Sequence, residues 1–565
     1  MPTTHEPIKE ETTKKTRILI VGASAAGASA AARARRLCGT ADITLVERGA
    51  DISYAACGLP YHIGEEIAER GRLIQHTPAS LATLLGVTVR TSTEAVAIDR
   101  ARKILLIKNA TGATGELAYD KLILAPGAAP LRPALPGIDN PRILTLRTLQ
   151  DMDRIKKAAM GSASSVLIAG AGFIGLEMAE QLSQAGLATT IVEMAPQVLP
   201  QLDPEMTRDI ERELRAHDIT LVLGDGVEAF SANQNCTARL RSGRELAADL
   251  VILSIGVKPE SALAAAAGLA LGERGAIKVN EWLQTSDPDI YAAGDAVENR
   301  DRVFERPMNL ALGGPANRQG RIIADHIFQK TPAAPGLAAL PYPGHLGTAI
   351  VRVFGAAAGV TGWTEKRLRA AGIAHNATIV TDYHHASFFP DAKPLTLKIL
   401  WSPGDGRLLG AQASGAEGVD KRVDVLATAL AARMTIDDLA QLELAYAPPY
   451  GSARDVVNTA GFVAQNQRAA LVPLARELPG PGGRRLLDVR PRKMVEEAPI
   501  PGALNIPLME LRARLGELDK TARWAVVCLY GKTSYFAART LAQNGFDVVS
   551  ICGGLKVAGR NKPGE

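Results

Sequence analysis

Residues 166–175 read VLIAGAGFIG, a short apolar run that leads into three glycines with the spacing GxGxxG. A strand, a glycine turn and a helix in this order predict a dinucleotide-binding fold, because the glycines permit a tight turn and close approach to a pyrophosphate. The next apolar run, residues 189–193, ends in Glu193, whose carboxylate accepts both ribose hydroxyls and repels a 2′-phosphate. NADH is therefore expected in this fold, with NADPH as the alternative. The binding residues predicted here are Gly170, Gly172, Gly175 and Glu193.

A second copy of this unit lies near the start of the chain. Residues 17–27 read RILIVGASAAG, with Ser24 where the middle glycine usually stands, and an Ala-rich helical stretch follows to Leu37. Residues 43–47 form another apolar run that ends in an acid, Glu47, suited to a ribose hydroxyl. A nucleotide site is predicted here too, with an accidental glycine-rich turn as the alternative. Its predicted binding residues are Gly22, Ser24, Gly27 and Glu47.

Three further segments belong to these two folds. Residues 119–127 predict a strand that ends in a turn at Gly127, and residues 251–259 repeat this pattern after the second fold. Residues 290–296 predict a strand that ends in Gly-Asp at the head of a helix, where Asp295 can bind a ribitol hydroxyl. Two dinucleotide folds in one chain imply a flavin in one and a nicotinamide in the other, although two nicotinamide folds or one inactive copy stay open.

The composition of the chain limits the alternatives. Of 565 residues, 47% are hydrophobic and 22% are charged, and no long apolar run occurs, so several soluble domains and no membrane span are expected. A net charge of +5 without basic blocks interleaved with aromatics predicts no nucleic-acid partner. Residues 1–16 are polar, which predicts a disordered tail and a cytoplasmic location. Neither a disulfide framework nor a metal site is expected, because the five cysteines are scattered and form no CxxC pair.

With these motifs, residues 17–330 resemble the flavoprotein disulfide reductases that carry two dinucleotide-binding domains. The resemblance implies FAD in the first fold and NAD(P)H in the second. It also implies that the chain returns to the FAD domain at the Gly-Asp motif.

The loop at residues 53–61, SYAACGLPY, carries Cys57 without the second cysteine of a CxxxxC pair. This loop is similar to the single-cysteine loop of coenzyme A-disulfide reductases and their persulfide-reductase relatives, which implies a catalytic Cys57 that forms a mixed disulfide with CoA. A buried, inert thiol is the alternative. Ala56 departs from the family, which typically has Asn there. The resemblance also implies that Arg35 and Arg36 of the first helix contact CoA phosphates, with a solvated helix face as the alternative.

From about residue 341 to 466 the pattern changes to alternating strands and reaches YAPPYG at residues 446–451, similar to the dimerisation domain of the same reductases. The resemblance implies a homodimer in which Tyr446 first, and Tyr450 second, reach the partner's redox cysteine and donate a hydrogen bond to a leaving sulfur or oxyanion. Core packing of Tyr446 is the alternative. A second family tyrosine is expected near residues 385–390, where this chain has Phe.

The last stretch, after a Pro/Gly-rich segment, is similar to a single-domain rhodanese. The similarity rests on LLDVR at 486–490, IPGALNIP at 500–507, WAVVCLYGKTS at 524–534 and Gly553-Gly554. A strand is predicted to end in Cys528, and the backbone N–H groups of the next loop, together with Lys532, would stabilise an anionic persulfide. Pro499 and Thr533 stand where the family often has His and Arg, so an inactive regulatory rhodanese is the alternative.

These features together predict an α/β chain with two Rossmann-like FAD- and NAD(P)-binding domains, an α+β dimerisation domain and a C-terminal α/β rhodanese domain. The expected activity is FAD-dependent reduction of CoA persulfide or polysulfide by NADH at Cys57, releasing hydrogen sulfide, with sulfur carried by Cys528. CoA-disulfide reduction, an NADH peroxidase or oxidase that cycles Cys57 through sulfenic acid, and a redox sensor acting through partner binding are the alternatives. The predicted limits are residues 1–16 for the tail, 17–150 and 281–335 for the FAD-binding domain, 151–280 for the NAD(P)H-binding domain, 336–466 for the dimerisation domain, 467–484 for a linker and 485–565 for the rhodanese domain.

Overall fold

The computed structural model describes residues 15–231, 236–329, 331, 334, 336–480 and 482–558. The predicted disordered tail, residues 1–16, therefore lies almost wholly outside the described residues. Among these described ranges, no helix is long and apolar enough to cross a membrane. The chain divides into two compact units, and the domain limits given above remain predictions. The first unit comprises described residues of Met1–Pro133, Leu144–Gly161 and Ile255–His345, and the second those of Ala134–Ile143, Ser162–Ser254 and Leu346–Glu565.

The first unit contains a parallel sheet of five strands with strand Arg17–Val21 at its centre. Ile18 and Ile20 of this strand are fully buried and pack in one cluster with the first helix, while Leu19, on the opposite face, belongs to a second cluster. In sheet order the strands are Ile290–Ala292, Lys121–Leu124, Arg17–Val21, Asp42–Val46 and Thr88–Arg90. The helices are Ala25–Leu37, Leu59–Ile63, Pro78–Leu85, Leu149–Ala159, Ala262–Ala266 and Gly313–Phe328.

The other strands of the first unit form three small sheets. Thr93–Asp99, Ile104–Asn109 and Thr114–Ala118 form an antiparallel sheet, Ala128–Pro130 pairs with Val257–Pro259, and Ile277–Lys278, Val297–Arg300 and Pro307–Asn309 form the last. Short 3-10 turns lie at Ala56–Gly58, Arg70–Leu73 and Gly294–Ala296.

The second unit begins with another sheet that follows the same plan. Its strands, in order, are Thr220–Leu223, Ala188–Glu193, Ser165–Ala169, Leu250–Leu253 and Ile143–Leu144. The first four are parallel, and a three-stranded antiparallel sheet adjoins them in sequence. The antiparallel strands are Val227–Phe230, Cys236–Leu240 and Glu245–Ala248, and the helical segments are Phe173–Gln184, Pro204–Met206 and Arg208–Ala216.

The second unit continues with a five-stranded antiparallel sheet in the region predicted to dimerise. In sheet order its strands are Ala349–Val353, Ala356–Gly362, Leu408–Gly415, Pro394–Trp401 and Asn376–Tyr383. The helices of this region are Glu365–Ala370, Val419–Ala431, Ile436–Gln441 and Val456–Arg468.

A parallel sheet of five strands ends the described chain. In order it contains Leu474–Ala475, Asp547–Ile551, Arg523–Val527, Arg485–Asp488 and Leu504–Asn505. The helical segments are Arg492–Glu497, Leu508–Leu511, Leu515–Glu517, Lys532–Gln543 and Gly554–Ala558. Strand Leu474–Ala475 lies within the predicted linker, residues 467–484, so the chain joins this sheet before residue 485.

A buried cluster of charges joins three parts of the second unit. Lys398 is fully buried, and its Nζ lies 2.9 Å from Asp203 Oδ2 and 2.7 Å from Glu365 Oε2. It also pairs with Glu205, and Arg476 lies 2.6 Å from the Glu365 carboxylate. Although burial opposes ionisation, the hydrogen bonds from Arg476 and Lys398 lower the pKa of Glu365 to about 2. Because removing one partner would leave an uncompensated buried charge, the cluster fixes how these parts pack.

Candidate active site

Cys57 lies in the 3-10 turn Ala56–Gly58, immediately before helix Leu59–Ile63. The residue is exposed and is not part of a disulfide, which argues against the alternative of a buried, inert thiol. The Ser53 N–H donates to the Ala23 carbonyl at 2.9 Å, and Ala23 belongs to the first glycine turn. The loop is therefore bound directly to the turn that the sequence assigns to a nucleotide.

Two packing features hold this loop in place. A Cβ on Gly58 would lie 2.5 Å from Cδ2 of Leu73, so the turn packs closely against the neighbouring 3-10 turn and leaves little room for a larger residue. The Tyr54 hydroxyl donates to the Arg147 carbonyl at 3.2 Å, and burial raises the pKa of Tyr54 to about 12. Tyr54 is therefore a neutral hydrogen-bond donor at physiological pH.

The first glycine turn has the shape that a pyrophosphate requires. Gly22 has φ +95°, and a Cβ there would lie 2.1 Å from the Ala125 carbonyl oxygen. A Cβ on Gly27 would lie 1.9 Å from the Gly22 carbonyl oxygen, so only glycine allows this contact between turn and helix. Ser24 stands at the N-cap of helix Ala25–Leu37 and makes no side-chain capping bond. The backbone N–H groups of this helix end are thus not capped by the Ser24 side chain.

Glu47 stands beside this turn. Its Oε2 accepts the Ala23 N–H at 2.9 Å and its Oε1 accepts the Gly49 N–H at 2.8 Å. Since each carboxylate oxygen has a further lone pair, the group can also accept ribose hydroxyls. These residues fit the adenosine half of FAD.

Asp295 and Gly127 lie on other elements of the same unit. Burial raises the pKa of Asp295, and the charge of Arg147 opposes this effect. A partly buried carboxyl of this kind gains from hydroxyl donors such as those of a ribityl chain. Gly127 has φ +76°, and Arg147 donates from Nη2 to the carbonyl of Pro126 at 3.1 Å. The roles of both residues at a flavin stay predictions.

The second glycine turn repeats this construction. Gly170 has φ +104°, and a Cβ on Gly175 would lie 2.0 Å from the Gly170 carbonyl oxygen. Gly172 is the N-cap of helix Phe173–Gln184 and has no side chain to occupy the helix end. Ser254 Oγ donates to the Gly170 carbonyl at 2.9 Å, a contact that the sequence patterns did not indicate.

Glu193 follows the same pattern as Glu47. Its Oε2 accepts the Ala171 N–H and its Oε1 accepts the Ala195 N–H, both at 2.8 Å. The carboxylate is thereby oriented with lone pairs left for two ribose hydroxyls. This geometry fits a nicotinamide dinucleotide and disfavours a 2′-phosphate by charge.

The first helix places its arginines in three different environments. Arg33 is paired with Asp325 at 2.5 Å. Arg35 donates to four backbone carbonyls, among them those of Leu85 at 2.7 Å and Gly86 at 2.9 Å. Arg36 is exposed. Arg36 is thus the stronger of the two predicted CoA contacts, because a phosphate at Arg35 would have to displace backbone acceptors.

Tyr446 and Tyr450 lie on the surface of the second unit. Their exposed fractions are 49% and 73% in the single chain. Phe388 and Phe389, where the family resemblance predicts a tyrosine, are also exposed. Large exposed side chains of this kind are typical of a surface that a partner covers. Tyr446 is therefore not packed in the core of the single chain, which is the alternative considered for it.

Cys528 follows strand Arg523–Val527 and is buried. Its Sγ accepts the N–H of Gly531 at 3.1 Å and the N–H of Ser534 at 3.2 Å. These donors stand at the start of helix Lys532–Gln543, where the helix dipole also favours a negative charge. The surroundings of the sulfur are therefore suited to a thiolate or a persulfide anion.

The loop around Cys528 depends on close glycine contacts. Gly531 has φ +86°, and a Cβ there would lie 2.7 Å from the Gly553 nitrogen. A Cβ on Gly554 would lie 2.5 Å from the Cys528 carbonyl oxygen. The predicted Gly553-Gly554 pair thus supports the loop by letting two backbone segments touch.

Lys532, expected to place a cation in this loop, pairs with Asp382 at 3.2 Å. Sequence reasoning missed Asp382 because it lies 150 positions away, at the end of strand Asn376–Tyr383. No local pattern marks it. Within the described ranges, no group of His, Cys, Asp or Glu side chains could hold a metal ion.

Three family descriptions match consecutive parts of the chain. Residues 16–316 match pyridine nucleotide-disulphide oxidoreductase, and residues 348–456 match the dimerisation domain of the same family. Residues 473–558 match a rhodanese-like domain. The α/β fold class predicted from the sequence is confirmed.

Several known proteins are similar over most of the chain. A coenzyme A disulfide reductase of Staphylococcus aureus (strain bovine RF122 / ET3-1) is 33% identical over 451 residues, covering 80% of this chain and 100% of that protein. The structure of reduced Bacillus anthracis CoADR-RHD is 43% identical and covers 96% of this chain and 98% of its own, with a TM-score of 0.92. The structure of an NAD-dependent persulfide reductase from A. fulgidus is 38% identical, with coverages of 96% and 99% and a TM-score of 0.91.

Proposed function

Because the chain belongs to the pyridine nucleotide-disulphide oxidoreductase family, we propose that it reduces CoA persulfide and polysulfide with NADH, releases hydrogen sulfide and carries a fused sulfurtransferase. The observation that carries the proposal is the set of backbone donors around Cys528. Reduction of a plain disulfide has no use for a second sulfur carrier, whereas persulfide chemistry has.

Cys57 is the redox residue in this proposal. Its thiolate attacks the CoA-bound sulfur of the persulfide, a disulfide bond forms between them, and hydrosulfide leaves with the electron pair. Two electrons and a proton then restore the Cys57 thiolate and release the CoA thiol. FAD and NADH, when bound, supply those electrons.

The residues of the two glycine turns bind and orient these cofactors. Glu47 and Asp295 accept hydroxyls of FAD, and Glu193 accepts the ribose hydroxyls of NADH. Arg36 contacts the phosphates of CoA, with Arg35 as the second candidate. Family members bind FAD and NADH, in agreement with the oriented carboxylates described above.

Tyr446 is proposed to donate a hydrogen bond to the sulfur that leaves the partner subunit's redox cysteine. The chain carries the family's dimerisation domain, which supports a homodimer. The exposure of Tyr446 and Tyr450 in the single chain supports this role. Since the phenylalanines at 388 and 389 cannot donate, one tyrosine carries this contact.

Tyr446→Phe is expected to lower kcat for CoA persulfide by about 10- to 100-fold, with little change in KM, because the variant loses the donor but keeps the ring. Tyr450→Phe is the matched control and is expected to lose less. Stopped-flow oxidation of NADH by purified dimer measures both variants. A larger loss for Tyr450→Phe would reverse the assignment, and unchanged kcat in both would remove it.

A substrate comparison tests the proposed function. Oxidation of NADH is measured with CoA persulfide, glutathione persulfide, polysulfide, CoA disulfide and hydrogen peroxide, with sulfide determined in parallel. CoA persulfide is expected to give the highest kcat/KM, at least about ten-fold above glutathione persulfide, because contacts with the rest of CoA add binding energy. NADPH in place of NADH is expected to be the poorer donor, because Glu193 repels the 2′-phosphate.

Two outcomes of this comparison select the other candidates. A preference for CoA disulfide would identify a CoA-disulfide reductase, the name that the Staphylococcus aureus relative carries. Turnover with hydrogen peroxide far above that with CoA persulfide would contradict the proposal in favour of a peroxidase that cycles Cys57 through sulfenic acid.

A cytoplasmic location is part of the proposal. All five cysteines are outside disulfides, although several are buried. Thiols that cycle through persulfides and mixed disulfides are kept reduced in the cytoplasm.

A further inference from the structure

The loop that carries Cys528 makes side-chain contacts with the antiparallel sheet of the dimerisation region. Lys532 Nζ lies 3.2 Å from Asp382 Oδ2. The ring of Tyr530 meets that of Tyr383 edge to face, with centroids 6.5 Å apart. Asp382 and Tyr383 are the last two residues of strand Asn376–Tyr383, so the end of one strand contacts both Lys532 and Tyr530 of the loop.

Other contacts hold the rhodanese-like segment in the same position. Lys556 lies 2.9 Å from Asp209, and Arg476 lies 2.6 Å from Glu365. The Cys552 thiol donates to the Ile379 carbonyl, three residues before Asp382, at 3.3 Å. The contact between Lys532 and Asp382 therefore belongs to an extended interface.

Lys532 is the one basic side chain in the loop from Cys528 to Ser534, which reads CLYGKTS. Thr533 supplies no charge where related loops have Arg. Among the residues of this loop, Lys532 alone can offer a cation to a small anionic sulfur donor. Asp382 pairs with this cation and so lowers the positive potential that a dianion would meet at the loop.

We propose that Asp382 is a specificity-determining residue of the Cys528 site, which disfavours small dianionic sulfane-sulfur donors such as thiosulfate relative to persulfides of thiols. The proposal rests on the proposed function of Cys528 as a sulfur carrier. Asp382 acts through Lys532 and does not touch the reacting sulfur.

The two classes of donor react with Cys528 in the same way. With thiosulfate, the Cys528 thiolate attacks the outer sulfur, a sulfur–sulfur bond forms, and sulfite leaves with the electron pair of the broken bond. With a persulfide, the same attack on the outer sulfur releases the donor's thiolate. Both reactions leave a persulfide on Cys528 without net oxidation or reduction. Thiosulfate concentrates two negative charges in one small ion, so it loses more than a persulfide group does when Asp382 pairs with Lys532.

The experiment compares the two donors in full-length dimer, with cyanide as the acceptor and NADH omitted. Asp382→Asn is expected to lower KM for thiosulfate by about five-fold, with a smaller change in kcat. The reason is that the substitution releases the Lys532 cation from a partly exposed ion pair. KM for glutathione persulfide is expected to change by less than about two-fold. Asp424→Asn, which changes an exposed acid on helix Val419–Ala431 of the same region, is the matched control and is expected to alter neither KM.

A second comparison separates the charge effect from disturbed packing. In Asp382→Asn/Lys532→Gln, the gain with thiosulfate should disappear, since the freed cation is absent. A gain that persists, or an equal change for both donors, would overturn the role of Asp382. If the unchanged protein transfers sulfur but Asp382→Asn shows no shift in KM, only the role of Asp382 is overturned. If the unchanged protein transfers sulfur from neither donor, the sulfur-carrier function of Cys528 is overturned as well.

Discussion

Cys57→Ser is expected to reduce sulfide release from CoA persulfide and NADH by at least about 10³-fold, because a serine oxygen cannot form the mixed disulfide. Sulfur transfer from glutathione persulfide to cyanide, which needs only Cys528, should remain within about two-fold of the unchanged protein. Trapped sulfide measures the first reaction and thiocyanate the second. The expected pattern is thus loss of one activity with the other retained.

The matched control for this variant is Cys38→Ser. Cys38 is a partly buried thiol of the same unit that lies next to the C-terminus of helix Ala25–Leu37. Full sulfide release is expected from it, with unchanged KM for NADH. Full sulfide release by Cys57→Ser would show that another thiol carries the redox step and that the central assignment is wrong.

Cys528→Ser is expected to give the opposite pattern. Transfer of sulfur to cyanide should fall by at least about 10³-fold, because serine cannot hold sulfane sulfur as a persulfide. Reduction of CoA persulfide supplied directly should continue within about two-fold, since that substrate already carries its sulfur on CoA. Reduction that begins from glutathione persulfide with catalytic CoA should fall with the transfer activity.

Cys552→Ser is the control for the second variant. Cys552 belongs to the same rhodanese-like segment, but burial raises its pKa and its thiol donates to the Ile379 carbonyl. A serine hydroxyl can make the same bond, so transfer is expected to persist. If Cys552→Ser lost the transfer activity and Cys528→Ser kept it, the assignment of the sulfur carrier would be reversed.

The glycine turns were predictable from the sequence because their geometry is local. Gly22 and Gly170 each end an apolar strand, and an acid follows about 25 residues later at the end of the next strand. The structure places Glu47 and Glu193 on the N–H groups of their own turns. A strand, a helix and a second strand leave little freedom for any other arrangement.

The partners of the basic residues were not predictable in this way. The resemblance implies a CoA phosphate at Arg35, and that role stays a prediction. The pattern did not indicate that the guanidinium donates to the carbonyl of Leu85, 50 positions further on. The sequence predicts a cation at Lys532 within its own loop but does not indicate that this side chain pairs with Asp382. Such contacts depend on how separate segments pack, and a charge alone does not indicate which segment arrives beside it.

Strand Leu474–Ala475 limits how the rhodanese-like segment can be transplanted into another protein. A graft cut at residue 485 would leave one edge of strand Asp547–Ile551 without its hydrogen-bond partner, and unpaired edges promote aggregation. It would also lose Val472, which is buried in the core of the segment. A transferable version has to begin before Val472. It would carry Arg476 with it, so the new host would need an acid to replace Glu365.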